Sequence, residues 1–126
     1  MTKILFVCSA NIDRSPTAER IYADNSELEV MSAGTLWFAH KPVSIEYIEW
    51  ADVILCMKDH HKQFIEQKFS EALANKPIDY LDVEDIYPYM HPKLVEIIKE
   101  KTDRWLKEYK NKQSVQNNVN NTSLHS

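Results

Sequence analysis

Glycine is nearly absent from this chain. Gly34 is the only one among 126 residues, so the backbone has almost no place to take a positive φ, or to approach a neighbouring segment closely, without strain. The turn Ser32-Ala33-Gly34-Thr35 is where such a need is expected. Cysteine is scarce too. Cys8 and Cys56 are too few for a disulfide scaffold and suit a reducing compartment. Positive charge is not in excess: 15 Lys and Arg stand against 19 Asp and Glu, for a net charge of -4. That balance argues against non-specific binding to nucleic acid or to an anionic membrane, while leaving room for a local cationic pocket. No apolar run approaches the roughly 18 residues that span a bilayer. The start of the chain lacks a basic stretch followed by an apolar one, so the expected location is the cytoplasm. Metal-ligand spacings are missing. His60 and His61 are adjacent and would diverge by about 100° on a helix, as solvated residues or ones standing behind a site. No metal or other cofactor is expected, and a second domain does not fit in this length.

What is present concentrates in residues 3–19, KILFVCSANIDRSPTAE. An apolar, β-rich run from Ile4 to Val7 delivers Cys8, a turn leads to Arg14 and Ser15, and Pro16 opens a helix-forming stretch. A chain that curls between a strand end and a helix N-terminus points backbone N–H groups inward, and such a ring binds a tetrahedral anion. Arg14 would add a planar fork of donors, with the Cys8 thiol beneath as an in-line nucleophile. Cys-x5-Arg alone is a weak spacing. The hydroxyl residue and the proline that follow Arg14 at once separate it from a buried strand cysteine followed by a surface arginine. The chemistry implied is that of a cysteine-dependent phosphatase.

The run Val7-Cys8-Ser9-Ala10-Asn11-Ile12-Asp13-Arg14-Ser15-Pro16, with Ala18-Glu19 after it, resembles the signature loop of the low-molecular-weight protein tyrosine phosphatases. The resemblance is tight over residues 4–20 and is echoed by Ser32-Ala33-Gly34-Thr35 and by Ala51-Asp52-Val53-Ile54-Leu55-Cys56-Met57. It loosens over residues 85–90 and extends to about residue 110.

Along the chain, residues 16–24 read as a helix with Ala18, Ile21 and Tyr22 on one face, and residues 28–31 as a short strand. Ser44 is a candidate N-cap for a helix to about Trp50, with Tyr47 where a capping box needs Glu or Gln. Residues 52–57 form the near-continuous apolar run of a parallel strand covered on both faces, with Cys56 as a core thiol. Residues 59–74 suit an amphipathic helix with Phe64, Ile65, Phe69 and Leu73 as its stripe. Residues 77–83 suit a fourth strand. Residues 91–110 suit a last helix bearing Leu94, Ile97 or Ile98, Trp105 and Tyr109, with Pro92 in its first turn. This alternation gives a three-layer α/β sandwich on a four-stranded parallel sheet. The order 2-1-3-4 is the flavodoxin-like, phosphotyrosine phosphatase I-like expectation, with the site at the carboxyl ends of the strands. Beyond Lys110 the Asn- and Ser-rich composition predicts disorder, which divides the chain into a domain at residues 1–110 and a tail at 111–126.

The resemblance implies roles for particular residues. Cys8 would attack phosphorus to form a phosphocysteine, while Arg14 and the loop from Ser9 and Ala10 through Asn11, Ile12 and Asp13 bind the phosphate. Ser15 would donate to the sulfur, and Asn11 would brace the loop through side-chain bonds to backbone. Asp85 in Asp85-Ile86-Tyr87-Pro88-Tyr89 is the expected general acid, with Asp82 and Glu84 as rivals and Ile86 where the family has proline. Tyr87 and Tyr89 would form an aromatic wall. Trp37 either flanks the substrate ring or, with Phe38, caps the core. Ile12 favours phosphotyrosine, since arginine-phosphatase relatives carry Thr there. Asp13 replaces a second cysteine common in the family, and its side chain is expected to radiate away from the anion. Gly34 either shapes an ordinary turn or supports the phosphate loop. The expected partner is a phosphotyrosine-containing protein or a small aryl phosphate, and the expected state is a monomer. Two other readings stay open: a phosphate- or phosphopeptide-binding module without turnover, and an arsenate reductase-like protein, for which Cys56 would have to serve as resolving thiol.

Overall fold

The computed structural model describes the backbone of residues 1–125, and side chains as far as residue 115. Four strands, β1 (Thr2–Cys8), β2 (Leu28–Gly34), β3 (Val53–Cys56) and β4 (Ile78–Tyr80), pair in parallel in the order β2-β1-β3-β4. Parallel neighbours need crossovers, and helices α1 (Arg14–Tyr22), α2 (Ile45–Trp50), α3 (Asp59–Lys68), α4 (Ser70–Leu73) and α5 (Pro92–His125) occupy the connections and the end of the chain. The result is the flavodoxin-like order read from the sequence.

Alternation along the strands divides the core in two. Ile4, Phe6 and Cys8 of β1, with Val53 and Leu55 of β3, pack against Ala18 and Tyr22 of α1 and Leu94 and Ile98 of α5. Leu5, Val7, Ile54 and Cys56 point the other way, against Ile48 of α2, Ile65 of α3 and Leu73 of α4. Burial on both faces is why β1 and β3 read as unbroken apolar runs.

Boundaries differ from the expectations in five places. Strand β2 runs on to Gly34, three residues past its expected end. Helix α1 starts at Arg14, so Pro16 lies inside its first turn, where its missing N–H removes no intrahelical bond. The helix over residues 59–74 breaks at Phe69 (φ -122°, ψ 33°) into α3 and α4. Formal pairing of β4 stops at Tyr80, although Leu81 N–H and Val83 N–H still donate to Cys56 O and Met57 O at 2.8 Å. Asp82, at φ 60°, interrupts the strand between them. Finally, α5 runs as helical backbone through the Asn-rich segment to His125, where composition predicts disorder. Extending an existing helix needs no new nucleus. Side chains from residue 116 onward lie outside the described residues.

Candidate active site

Cys8 is the last residue of a central strand, 2% exposed, at the carboxyl edge of the sheet. The following turn passes through Asn11, whose φ of 58° an asparagine tolerates better than most residues. The carbonyls of Cys8, Ser9 and Ala10 are all taken from outside the turn, by the N–H groups of Thr35 (2.9 Å), Leu36 (3.1 Å) and His40 (3.0 Å). In a trans peptide the C=O and the next N–H point in opposite directions, so carbonyls held outward turn the N–H groups of Ser9, Ala10 and Asn11 inward. None of the N–H groups from Ser9 to Ser15 donates to a backbone carbonyl among the described residues. The first turn of α1 adds its own free donors and the positive end of its dipole.

Gly34 follows from this geometry. A Cβ there would lie 2.4 Å from Ser9 O, 2.7 Å from Ala39 Cβ and 3.1 Å from Asn11 N, and its φ is not positive. The only glycine is therefore a matter of close approach: the end of β2 presses against the turn.

Ser15 sits between Asn11 and the thiol. Asn11 Nδ2 donates to Ser15 Oγ at 2.9 Å, which leaves the Ser15 hydroxyl free to donate to Cys8 Sγ at 2.9 Å, with Ala33 O at 3.4 Å as the alternative acceptor. Asn11 thus braces the turn through a side chain rather than through the backbone bonds the resemblance implied, because the nearby N–H groups point into the ring. Its Oδ1 is buried without a partner among the described residues. Arg14 is buried, donates from Nη1 to Val83 O at 3.0 Å, and holds Nη2 3.7 Å from Asp85 Oδ2.

His61 supports the turn from behind. Lys58 N–H donates to its Nδ1 at 3.1 Å, so the neutral ring carries its proton on Nε2 and donates it to Ser9 Oγ at 2.8 Å. Burial first, and then the positive charges of His60, Arg14 and Lys58, push His61 down to about 3.

Of the three acids after β4, two are occupied. Lys58 Nζ lies 2.7 Å from Asp82 Oδ1 and 2.6 Å from Glu84 Oε1, and Lys101 Nζ donates to Asp82 O at 2.7 Å. Only Asp85 faces Arg14. Farther along, Tyr89 N–H donates to Asp13 Oδ1 and Met90 N–H to Thr17 Oγ1, both at 2.9 Å. The Asp13 carboxylate is engaged by the neighbouring loop.

An open cleft of about 730 Å³ borders the turn, lined by Asn11, Ile12, Pro16, Phe38, Lys41 and Tyr89 among others. Trp37, 86% exposed, neither caps the core nor lines this cleft. It meets Phe38 edge-on at 5.3 Å and borders a separate groove with Phe64 and Lys68. Tyr87 packs on the core beside His91, with ring centroids 4.9 Å apart, so Tyr89 alone of the expected pair lines the cleft. His61, Lys58, Thr17 and Phe38 were not among the expected site residues. Among the described residues no cluster of His, Cys, Asp and Glu could hold a metal ion, and no helix is long and apolar enough to cross a membrane.

Residues 3–42 match the family described as low molecular weight phosphotyrosine protein phosphatase. By signature segment and by fold, that is the family this chain resembles. A protein-arginine-phosphatase of Geobacillus stearothermophilus is 33% identical over 95 residues, covering 56% of this chain and 64% of the relative, so the match spans less than two thirds of that protein's length. Among solved structures, the low molecular weight protein tyrosine phosphatase of Streptococcus pyogenes superposes with a TM-score of 0.70 at 16% identity, covering 86% of this chain and 93% of the other. The YwlE arginine phosphatase of Geobacillus stearothermophilus gives 0.64 at 24%, covering 86% and 95%. These low identities speak for the fold.

Proposed function

We propose that this protein is a cysteine-dependent phosphatase acting on phosphotyrosine monoesters of proteins or on small aryl phosphates. The observation that carries the reading is the outward capture of the Cys8, Ser9 and Ala10 carbonyls, which turns a row of N–H donors over a buried thiol beside Arg14. Cys8 thiolate attacks phosphorus: the S–P bond forms, the ester P–O bond breaks, and Asp85 gives its proton to the departing oxygen. Water then attacks the phosphocysteine, returns a proton to Asp85 and releases inorganic phosphate and the thiolate. The N–H ring and Arg14 hold the equatorial oxygens throughout, and the Ser15 hydroxyl stabilises charge on sulfur. Ile12 and Tyr89 offer an apolar cleft to an aryl group. The reading takes residues 1–110 as the catalytic domain, monomeric, in the cytoplasm and without a cofactor.

The 33% identity to a protein-arginine-phosphatase favours a second reading, hydrolysis of phosphoarginine at the same Cys8. An arsenate reductase-like role has less support. Cys56 is sealed in β3, and burial pushes its thiol far up, which is the reverse of what a resolving thiol needs.

The test is hydrolysis of a phosphotyrosine peptide and a phosphoarginine peptide against pH by wild type, Cys8→Ser and Asp85→Asn. Expected are a bell-shaped profile on phosphotyrosine, abolition by Cys8→Ser, and loss of the basic limb in Asp85→Asn. Preference for phosphoarginine would transfer the assignment to the second reading. Phosphate binding with no turnover of either peptide would leave a binding module.

A further inference from the structure

We propose that Asp13 is the positioning residue for the acid loop, setting through Tyr89 N–H where Asp85 stands over the phosphate cradle; this rests on the reading of Asp85 as general acid. Asp13 occupies the N-cap of α1, where a carboxylate ordinarily accepts an N–H of its own helix. Here it makes no such capping bond. Its Oδ1 accepts Tyr89 N–H at 2.9 Å instead, and in the next turn Thr17 Oγ1 accepts Met90 N–H at 2.9 Å. Two successive donors of the loop are therefore held by the start of α1. At the other end of the loop, Lys58 and Lys101 hold Asp82. Asp82 and Met90 both have φ of 60°, a left-handed turning point at each end that non-glycine residues keep only when their surroundings impose it.

Asp85 lies between these anchors. Its side chain is 63% exposed and among the described residues meets only Arg14, at 3.7 Å, too weak a contact to fix it. The place of the acid is inherited from the pinned ends of its loop, and Asp13 joins that loop to the phosphate-binding turn itself.

The effect is read by comparing kcat/KM on phenyl phosphate, whose leaving group needs a proton, with kcat/KM on para-nitrophenyl phosphate, whose leaving group departs readily without one. Asp13→Ala keeps the backbone N–H, the part of Asp13 that the loop lends to phosphate, and removes only the carboxylate that holds Tyr89 N–H. It is expected to lower the first about tenfold and the second less than about twofold, with inhibition by inorganic phosphate unchanged. Asp13→Asn keeps the accepting oxygen and is expected to restore the wild-type ratio. Thr17→Val should move the ratio in the same direction as Asp13→Ala, and it carries the test if Asp13→Ala does not fold. Equal losses on both substrates, weakened phosphate inhibition, or an Asp13→Asn enzyme no better than Asp13→Ala would overturn the proposal while leaving the phosphatase reading intact. Wild type without Cys8-dependent turnover of either substrate would remove that reading, and the proposal with it.

Discussion

At the scale of single residues, two positions behind the turn between β1 and α1 bear on its shape. Gly34 is one, because a Cβ there would meet the backbone Ser9 O at 2.4 Å and Ala39 Cβ at 2.7 Å and would crowd Asn11 N at 3.1 Å. Gly34→Ala is expected to lower thermal stability by about 1–3 kcal/mol and to weaken inhibition by inorganic phosphate at least about fivefold. Unchanged phosphate inhibition would show that the turn tolerates the methyl group. His61 is the other. Its folded-state value of about 3 lies below the ordinary histidine value, so the unfolded chain takes up a proton that the folded chain refuses. Stability is therefore fully present above about pH 6.5 and declines as pH falls toward 3, with a limiting slope of about 1.4 kcal/mol per pH unit. Glutamine can also accept from Lys58 N–H and donate to Ser9 Oγ, yet it does not titrate. Melting temperature against pH should accordingly be flatter between pH 6.5 and 4 in His61→Gln than in wild type.

At the scale of elements, β4 stands out as short and one-sided. Among the described residues it pairs only with β3, and the loop carrying Asp85 hangs from its end. What secures it from the open side is α5, whose Trp105 Nε1–H donates to Asp79 Oδ2 at 2.8 Å. Asp79→Ala should lower stability by about 1–2 kcal/mol, a shift of a few degrees in melting temperature. An unshifted melt would mean that β3 pairing alone holds the edge. This scale also shows where sequence reading works and where it ends. Cys8 and Arg14 could be brought into one candidate site because one contiguous segment places both, and β1 and β3 were legible because burial on two faces leaves apolar runs. Gly34 was legible through its rarity. The run Asp85-Ile86-Tyr87-Pro88-Tyr89 favoured Asp85 but left Asp82 and Glu84 as rivals; the Lys58 pairing of those two comes from the start of α3, a contact between elements far apart in the chain. For the same reason His61 was read only as either solvated or standing behind a site, and the exchange of Phe38 for Trp37 depends on side-chain direction in a loop, which composition does not encode.

At the scale of the molecule, both halves of the core are closed by residues up to Tyr109. Truncation after Lys110 is expected to leave melting temperature within about 2 °C and kcat/KM unchanged; a larger drop would extend the domain into the rest of α5. The two parts of the site differ in how they are held. The turn after Cys8 is a local stretch between β1 and α1, whereas the contacts that bring the Asp85 loop to it link positions 69, 73 and 76 residues apart. Regions held by a few contacts open before the core does. In rising urea the protein should pass through a range in which far-UV ellipticity and phosphate binding survive while turnover of phenyl phosphate has gone, so that partial unfolding converts a catalyst into a receptor before it destroys the fold.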